Sequence, residues 1–76
     1  MRGLFEIAME IQSDWKNINY GAKPYLEAMG TMESIGDYYG EDTGKSIVNY
    51  FLANAGSWRG ETAKSIKLEL KSMMKS

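Results

Sequence analysis

The sequence predicts an all-α protein, a compact bundle of about four helices in a single domain spanning residues 1 to 76. Three observations carry that expectation. Apolar residues recur at the 3 and 4 spacing of a core-facing helix in successive segments. No run alternates apolar and polar residues as a half-buried strand would. Glycine, proline and capping residues punctuate the chain where helices would begin and end.

The first segment, roughly 3 to 18, sets Leu4, Ile7, Ala8, Ile11, Trp15 and Ile18 on one side of a helical wheel, and Asn19-Tyr20-Gly21 ends it. Phe5 and Met9 share a flank outside that face. Glu6, Glu10 and Asp14 form a stripe of like charge, which costs a few tenths of a kcal/mol per pair, or about 0.2–0.5, unless bases lie opposite. The second segment, roughly 23 to 35, carries Pro24 in its first turn, where the missing N–H is no loss. Tyr25, Leu26, Ala28, Met29, Met32 and Ile35 supply its apolar side; Gly30 weakens it and Gly36 stops it. The stretch from Gly36 to Asp42 reads as an acidic, tyrosine-bearing connection.

The third segment opens at Asp42 or Thr43, both good N-caps, and closes at Gly56. From Ser46 to Ala55 it is apolar around most of its circumference, which makes it the central helix. Ile47 to Leu52 has the β-branched and aromatic content of a strand, but no partner strand or hairpin turn is evident. Asn54 falls among Tyr50, Ile47 and Phe51, so its amide needs partners, with a loop backbone as the expected one. The fourth segment begins near Ser57 or Gly60 and runs almost to the end, with Ala63, Ile66, Leu70, Met73 and Met74 facing the core. Lys64, Lys67, Lys71 and Lys75 form a separate basic stripe, for which the Glu6, Glu10, Asp14 stripe is a natural mate.

Composition excludes much chemistry. The chain has no histidine and no cysteine. An imidazole base, a thiolate nucleophile, disulfides and the usual structural zinc sets are therefore absent. Its net charge of −1 hides a polarised chain. Residues 1 to 44 hold three bases against eight acids, whereas residues 45 to 76 hold six bases against Glu61 and Glu69. No apolar run approaches the roughly 20 residues that span a bilayer, and Met1-Arg2-Gly3 leads into Glu6 and Glu10 rather than a secretory apolar core. The expected location is the cytoplasm, without membrane contact. A domain this small has a thin margin of stability, which self-association as a homo-oligomer would widen.

Gly40-Glu41-Asp42-Thr43-Gly44-Lys45-Ser46 ends as a phosphate-binding loop does. Only three residues separate its glycines where four are required, no buried strand precedes it, and Glu41 and Asp42 would repel a phosphate. Paired carboxylates lack the spacing of a calcium loop, so no metal or cofactor is expected. Trp58-Arg59-Gly60, at the entrance to the last segment, combines a stacking face with a fork of charged donors. That suits a base, a phosphate or a carboxylate, provided Arg59 faces outward. The alternative is that Trp58 fills the junction between the third and fourth segments while Arg59 pairs with an acid of residues 33 to 42. The lysine stripe is the one candidate footprint for duplex nucleic acid, but a pI near 5.3 gives the wrong overall field.

The strings Leu4-Phe5-Glu6-Ile7-Ala8, Asp14-Trp15-Lys16-Asn17, Lys23-Pro24-Tyr25-Leu26-Glu27-Ala28-Met29, Ser46-Ile47-Val48-Asn49-Tyr50-Phe51-Leu52 and Ser57-Trp58-Arg59-Gly60-Glu61-Thr62-Ala63 together resemble small accessory proteins of tailed bacteriophages and prophages of gut-type bacteria. The likeness covers nearly the whole chain. Where members of that group tend to carry an arginine pair after the matching alanine, this chain has Lys64-Ser65. The resemblance brings no catalytic residues to carry over. It implies a phage accessory product, a class rich in small proteins that disable host machinery or sequester host signals.

The function expected from these readings is non-enzymatic: inhibition of a host protein, such as a bacterial defence component, through Asp37, Tyr38, Tyr39, Glu41 and Asp42 together with Trp58 and Arg59. The alternative is a sponge for a nucleotide signal, built from Trp58, Arg59 and the lysines of the last helix.

Overall fold

A computed structural model describes residues 2 to 75. Four helices order the described chain: α1 (Leu4–Asp14), α2 (Lys23–Met29), α3 (Gly44–Ala53) and α4 (Glu61–Lys75). Between α2 and α3 lies a short antiparallel ladder, β1 (Tyr38–Tyr39) and β2 (Asp42–Thr43), which pairs Tyr38 with Thr43 and Tyr39 with Asp42. The purely α-helical expectation is corrected by this hairpin. Gly40, at φ 64°, is the first of its two central residues, and a β-hairpin turn with one left-handed position there calls for glycine. The signal was present in the sequence, but two-residue strands are too short to show alternation.

One core joins all four helices. Leu4, Ile7, Ala8 and Ile11 of α1 meet Leu26 and Met29 of α2, Ile47, Val48 and Phe51 of α3, and Ala63, Ile66, Leu70 and Met73 of α4. The radius of gyration is 11.0 Å, close to the roughly 11 Å of a single domain of this length. No helix among the described residues is long and apolar enough to cross a membrane.

Two helices are shorter than the apolar periodicity predicts. α1 stops at Asp14, where Trp15 turns to extended backbone with its ring still buried, so the apolar face continues past the helix. α2 stops at Met29. There Gly30, Thr31 and Met32 form tight turns, and the Thr31 hydroxyl donates to the Ala28 carbonyl at 2.8 Å. Met32 and Ile35 still pack on the core, but from a loop. That loop closes the start of α1: Leu4 N–H donates to Glu33 O at 3.0 Å and Phe5 N–H to Met32 O at 2.8 Å. Glu6 adds a carboxylate for the Gly3 N–H. These bonds satisfy helix donors that have no intrahelical partner.

α3 begins as predicted, with the Thr43 hydroxyl accepting from Ser46 N–H at 3.1 Å. It ends at Asn54 rather than Gly56. The Asn54 amide donates back to Tyr50 O at 2.9 Å, and Asn19 of the α1–α2 loop donates to Asn54 O at 2.9 Å. The expected bond from the Asn54 amide to a loop backbone is corrected: the amide turns back on its own helix, and the loop contact is made by the Asn54 backbone carbonyl, which accepts from the Asn19 side chain. α4 begins at Glu61, behind Gly60 at φ 117°, a backbone position that only glycine holds without strain.

The acidic and basic stripes do not pair with each other. Arg2 instead bridges α1 and α4, donating through two nitrogens to Glu69, at 2.6 and 3.2 Å, and through a third to Glu10. Asp14 receives the Trp58 indole N–H at 2.8 Å. The hydrogen bonds to Glu69 and Glu10 raise the Arg2 pKa further above its ordinary value, so its charge is permanent.

Candidate functional site

The hairpin and its approach are built on Asp37. Its carboxylate accepts from Glu33 N–H at 2.9 Å, Ser34 N–H at 3.2 Å and the Ser34 hydroxyl at 3.1 Å. Its own carbonyl accepts from Gly44 N–H at 2.7 Å, while Lys45 N–H donates to Ile35 O. Asp37 therefore holds the loop rather than presenting a free acid.

Gly44 packs so closely that an added Cβ would lie 2.8 Å from the carbonyl oxygens of both Ser34 and Ile35. The loop-like string around it makes no phosphate cradle. The N–H groups of Gly44, Lys45 and Ser46 are already bonded to Asp37 O, Ile35 O and the Thr43 hydroxyl.

Hydrogen bonding to the ionised form lowers the Asp37 pKa below its ordinary 3.8, with the Glu33 N–H the largest cause, then the Ser34 N–H and hydroxyl. A depressed carboxylate contributes stability that is fully present above the unfolded-state value and is lost as pH falls through the folded one. The Glu33 and Ser34 amide resonances are accordingly expected to shift together in an acid titration, with a midpoint below 3.8, and not to show that step in Asp37→Asn. A midpoint at or above the ordinary carboxylate value would contradict the assignment.

Beyond this clamp the hairpin points outward. Tyr38 is 71% and Tyr39 49% exposed, and Glu41 and Asp42 are exposed beside them. Tyr20, in the α1–α2 loop, is 89% exposed. The sequence signals a turn at Tyr20, not a contact residue, and nothing in its spacing distinguishes the two. On α1, Met9 lies open and Phe5 at the edge of exposure, outside the core face as expected.

Trp58 is elsewhere and differently placed. It is buried, stacked on Trp15 with ring centroids 5.7 Å apart and planes 13° apart, and edge-on to Phe51 at 6.4 Å. The Lys67 ammonium lies over its ring, 5.8 Å from the centroid. The open stacking face suggested by Trp58-Arg59-Gly60 is thus corrected: the ring fills the junction of α3 and α4, because flat apolar area is worth more in a small core than in solvent.

Arg59 does face outward, and among the described residues it makes no ion pair with any acid. Of the basic stripe, Lys64, Lys71 and Lys75 are exposed. Lys67 is not a free member. Its ammonium donates to Ala55 O at 2.8 Å and Trp58 O at 2.7 Å, tying α4 to the end of the α3–α4 connection. Desolvation, then the charges of Lys71 and Arg59, lower its pKa below the ordinary lysine value.

Among the described residues no group of three or more acidic side chains is arranged to hold a metal ion. Comparison of the chain with protein-family profiles, curated proteins and solved structures finds no significant match.

Proposed function

We propose that this protein acts by binding another protein through the β1–β2 hairpin, with Tyr38, Tyr39, Glu41 and Asp42 as the contact residues. The observation that carries the reading is an exposed Tyr38 beside a half-exposed Tyr39 on a hairpin whose base is clamped by Asp37. Tyrosines on a pre-ordered backbone offer large contact area at low entropic cost, and flanking acids favour a basic groove. The resemblance to phage accessory proteins supports a host target in the bacterial cytoplasm, such as a defence component, and an inhibitory rather than catalytic role.

The nucleotide-sponge reading is weaker at Trp58, since Trp15 stacks on that ring and the Lys67 ammonium lies over it.

A pull-down from host lysate tests the proposal. The expected result is a stable complex that disappears in the Tyr38→Ala, Tyr39→Ala variant while the far-UV circular dichroism and melting temperature are retained, because both side chains lie outside the core. A complex that survives the double substitution would remove the hairpin from the account. Turnover of a substrate by the purified protein, lost on neutralising one carboxylate, would end the non-enzymatic reading.

A further inference from the structure

The exposed cations have a geometry that the hairpin does not use. Arg59, Gly60, Lys64 and Lys67 line a cleft of about 320 Å³ where the Trp58–Gly60 turn meets the start of α4, together with Trp58 and Ala63. Lys64, Lys67 and Lys71 follow one another at i, i+3 and i+7, so helical geometry sets them along one side of α4. Lys67 cannot swing away, because two backbone carbonyls hold its ammonium.

No acid lines this cleft. Asp14 lies in the neighbouring depression, which Trp58 and Arg59 also line, and its carboxylate is bonded to the indole. Glu61 starts α4 but is not among the lining residues, and Glu69 is taken by Arg2. Glu61, three residues before Lys64 on α4, is the acid nearest to it in sequence, and the charges of Arg59 and Lys71 both act on the Lys67 ammonium, so like charge gathers beside the cleft. Gly60 adds open backbone, with no atom within 4 Å of where a Cβ would stand.

We propose that this cleft binds a compact anion carrying at least two phosphoryl groups, contacted directly by Arg59 and Lys64, with Lys67 and Lys71 supplying the surrounding positive field. Arg59 offers the planar fork that suits phosphate oxygens, and the lysines act as point charges. Since Trp58 is stacked on Trp15 and capped by Lys67, a nucleobase gains no stacking partner there. Free pyrophosphate and a nucleoside diphosphate are therefore expected to bind alike, through the phosphates they share. This site is separate from the hairpin, so its fate and that of the protein-binding reading are independent.

The test is a thermal-shift and calorimetric titration with pyrophosphate, ADP and sodium chloride at matched ionic strength. A ligand that binds only the folded state raises the melting temperature by mass action. Pyrophosphate and ADP at millimolar concentration are expected to raise it by several degrees, and chloride is not. Arg59→Ala and Lys64→Ala are each expected to weaken binding about tenfold, the scale of one lost charge-assisted contact. Lys75→Ala, on the same helix but outside the cleft, and the Tyr38→Ala, Tyr39→Ala variant are expected to bind as the parent does. Equal stabilisation by chloride would reduce the effect to screening and overturn the proposal. So would undiminished affinity in both Arg59→Ala and Lys64→Ala. Binding of ADP but not pyrophosphate would overturn the phosphate-only recognition.

Discussion

Trp58→Ala is expected to lower the melting temperature of the protein more than any other single substitution considered. The substitution removes a ring stacked on Trp15 and set edge-on against Phe51, and it strips Asp14 of the indole donor. Truncating a buried aromatic of this size costs about 3–5 kcal/mol. At roughly 0.05–0.15 kcal/mol per residue, a chain this short has about 4–11 kcal/mol in all. Between about a quarter of that margin and the whole of it would go. The collapse available to larger proteins is limited here, because Trp15, Phe51 and Trp58 are drawn from the end of α1, from α3 and from the α3–α4 connection, so the void opens where three parts of the chain meet. Trp58→Phe keeps an aromatic ring in place and is expected to fall well short of that loss. Far-UV circular dichroism melts of the three proteins provide the check. A melting temperature for Trp58→Ala within a few degrees of the parent would show that the aromatic junction is not what holds α4 in position.

The second large effect is expected at Lys67. Lys67→Met preserves most of the apolar stem but deletes the ammonium that bonds Ala55 O and Trp58 O. Ala55 O retains the Trp58 N–H as a donor, whereas Trp58 O loses the one bond it makes among the described residues. Both residues are almost wholly buried, so water is poorly placed to substitute. An acceptor left without a donor costs about 1–3 kcal/mol, and relief of the repulsion from Arg59 and Lys71 returns part of it. A net loss of about 1–2 kcal/mol is expected, read as a lower urea midpoint at unchanged slope. A midpoint equal to the parent's would show that the two carbonyls find other donors. Lys64→Met, at an exposed position of the same helix, is the matched control and is expected to change stability little.

Much of the candidate surface is legible in the sequence. The string from Asp37 to Asp42 is acidic and aromatic, and its tyrosines do stand open. What the string does not show is that its first acid is spent internally. An Asp can turn back on the N–H groups three and four residues before it, as Asp37 does with Ser34 and Glu33, or face solvent. Composition is the same in both cases. The basic stripe divides for a related reason. Lys64, Lys67, Lys71 and Lys75 share one helical spacing, yet only Lys67 lies across from carbonyls that the α3–α4 connection turns toward it. Periodicity along a helix gives the direction of a side chain, never what waits there.

By itself the sequence determined the helical character of the described chain, the helix faces that form the core, the Thr43 cap and the absence of imidazole and thiol chemistry. All of these follow from residue identity and from spacing of a few positions. Tertiary structure alone decided that α1 and α2 stop early, that two tyrosines sit on a hairpin, that Trp58 is inside while Arg59 is outside, and that Arg2 rather than a lysine joins α1 to α4. Each depends on which distant backbone group or ring comes to lie opposite, and a donor or an aromatic face goes to the nearest partner in space, which neighbours in sequence do not specify.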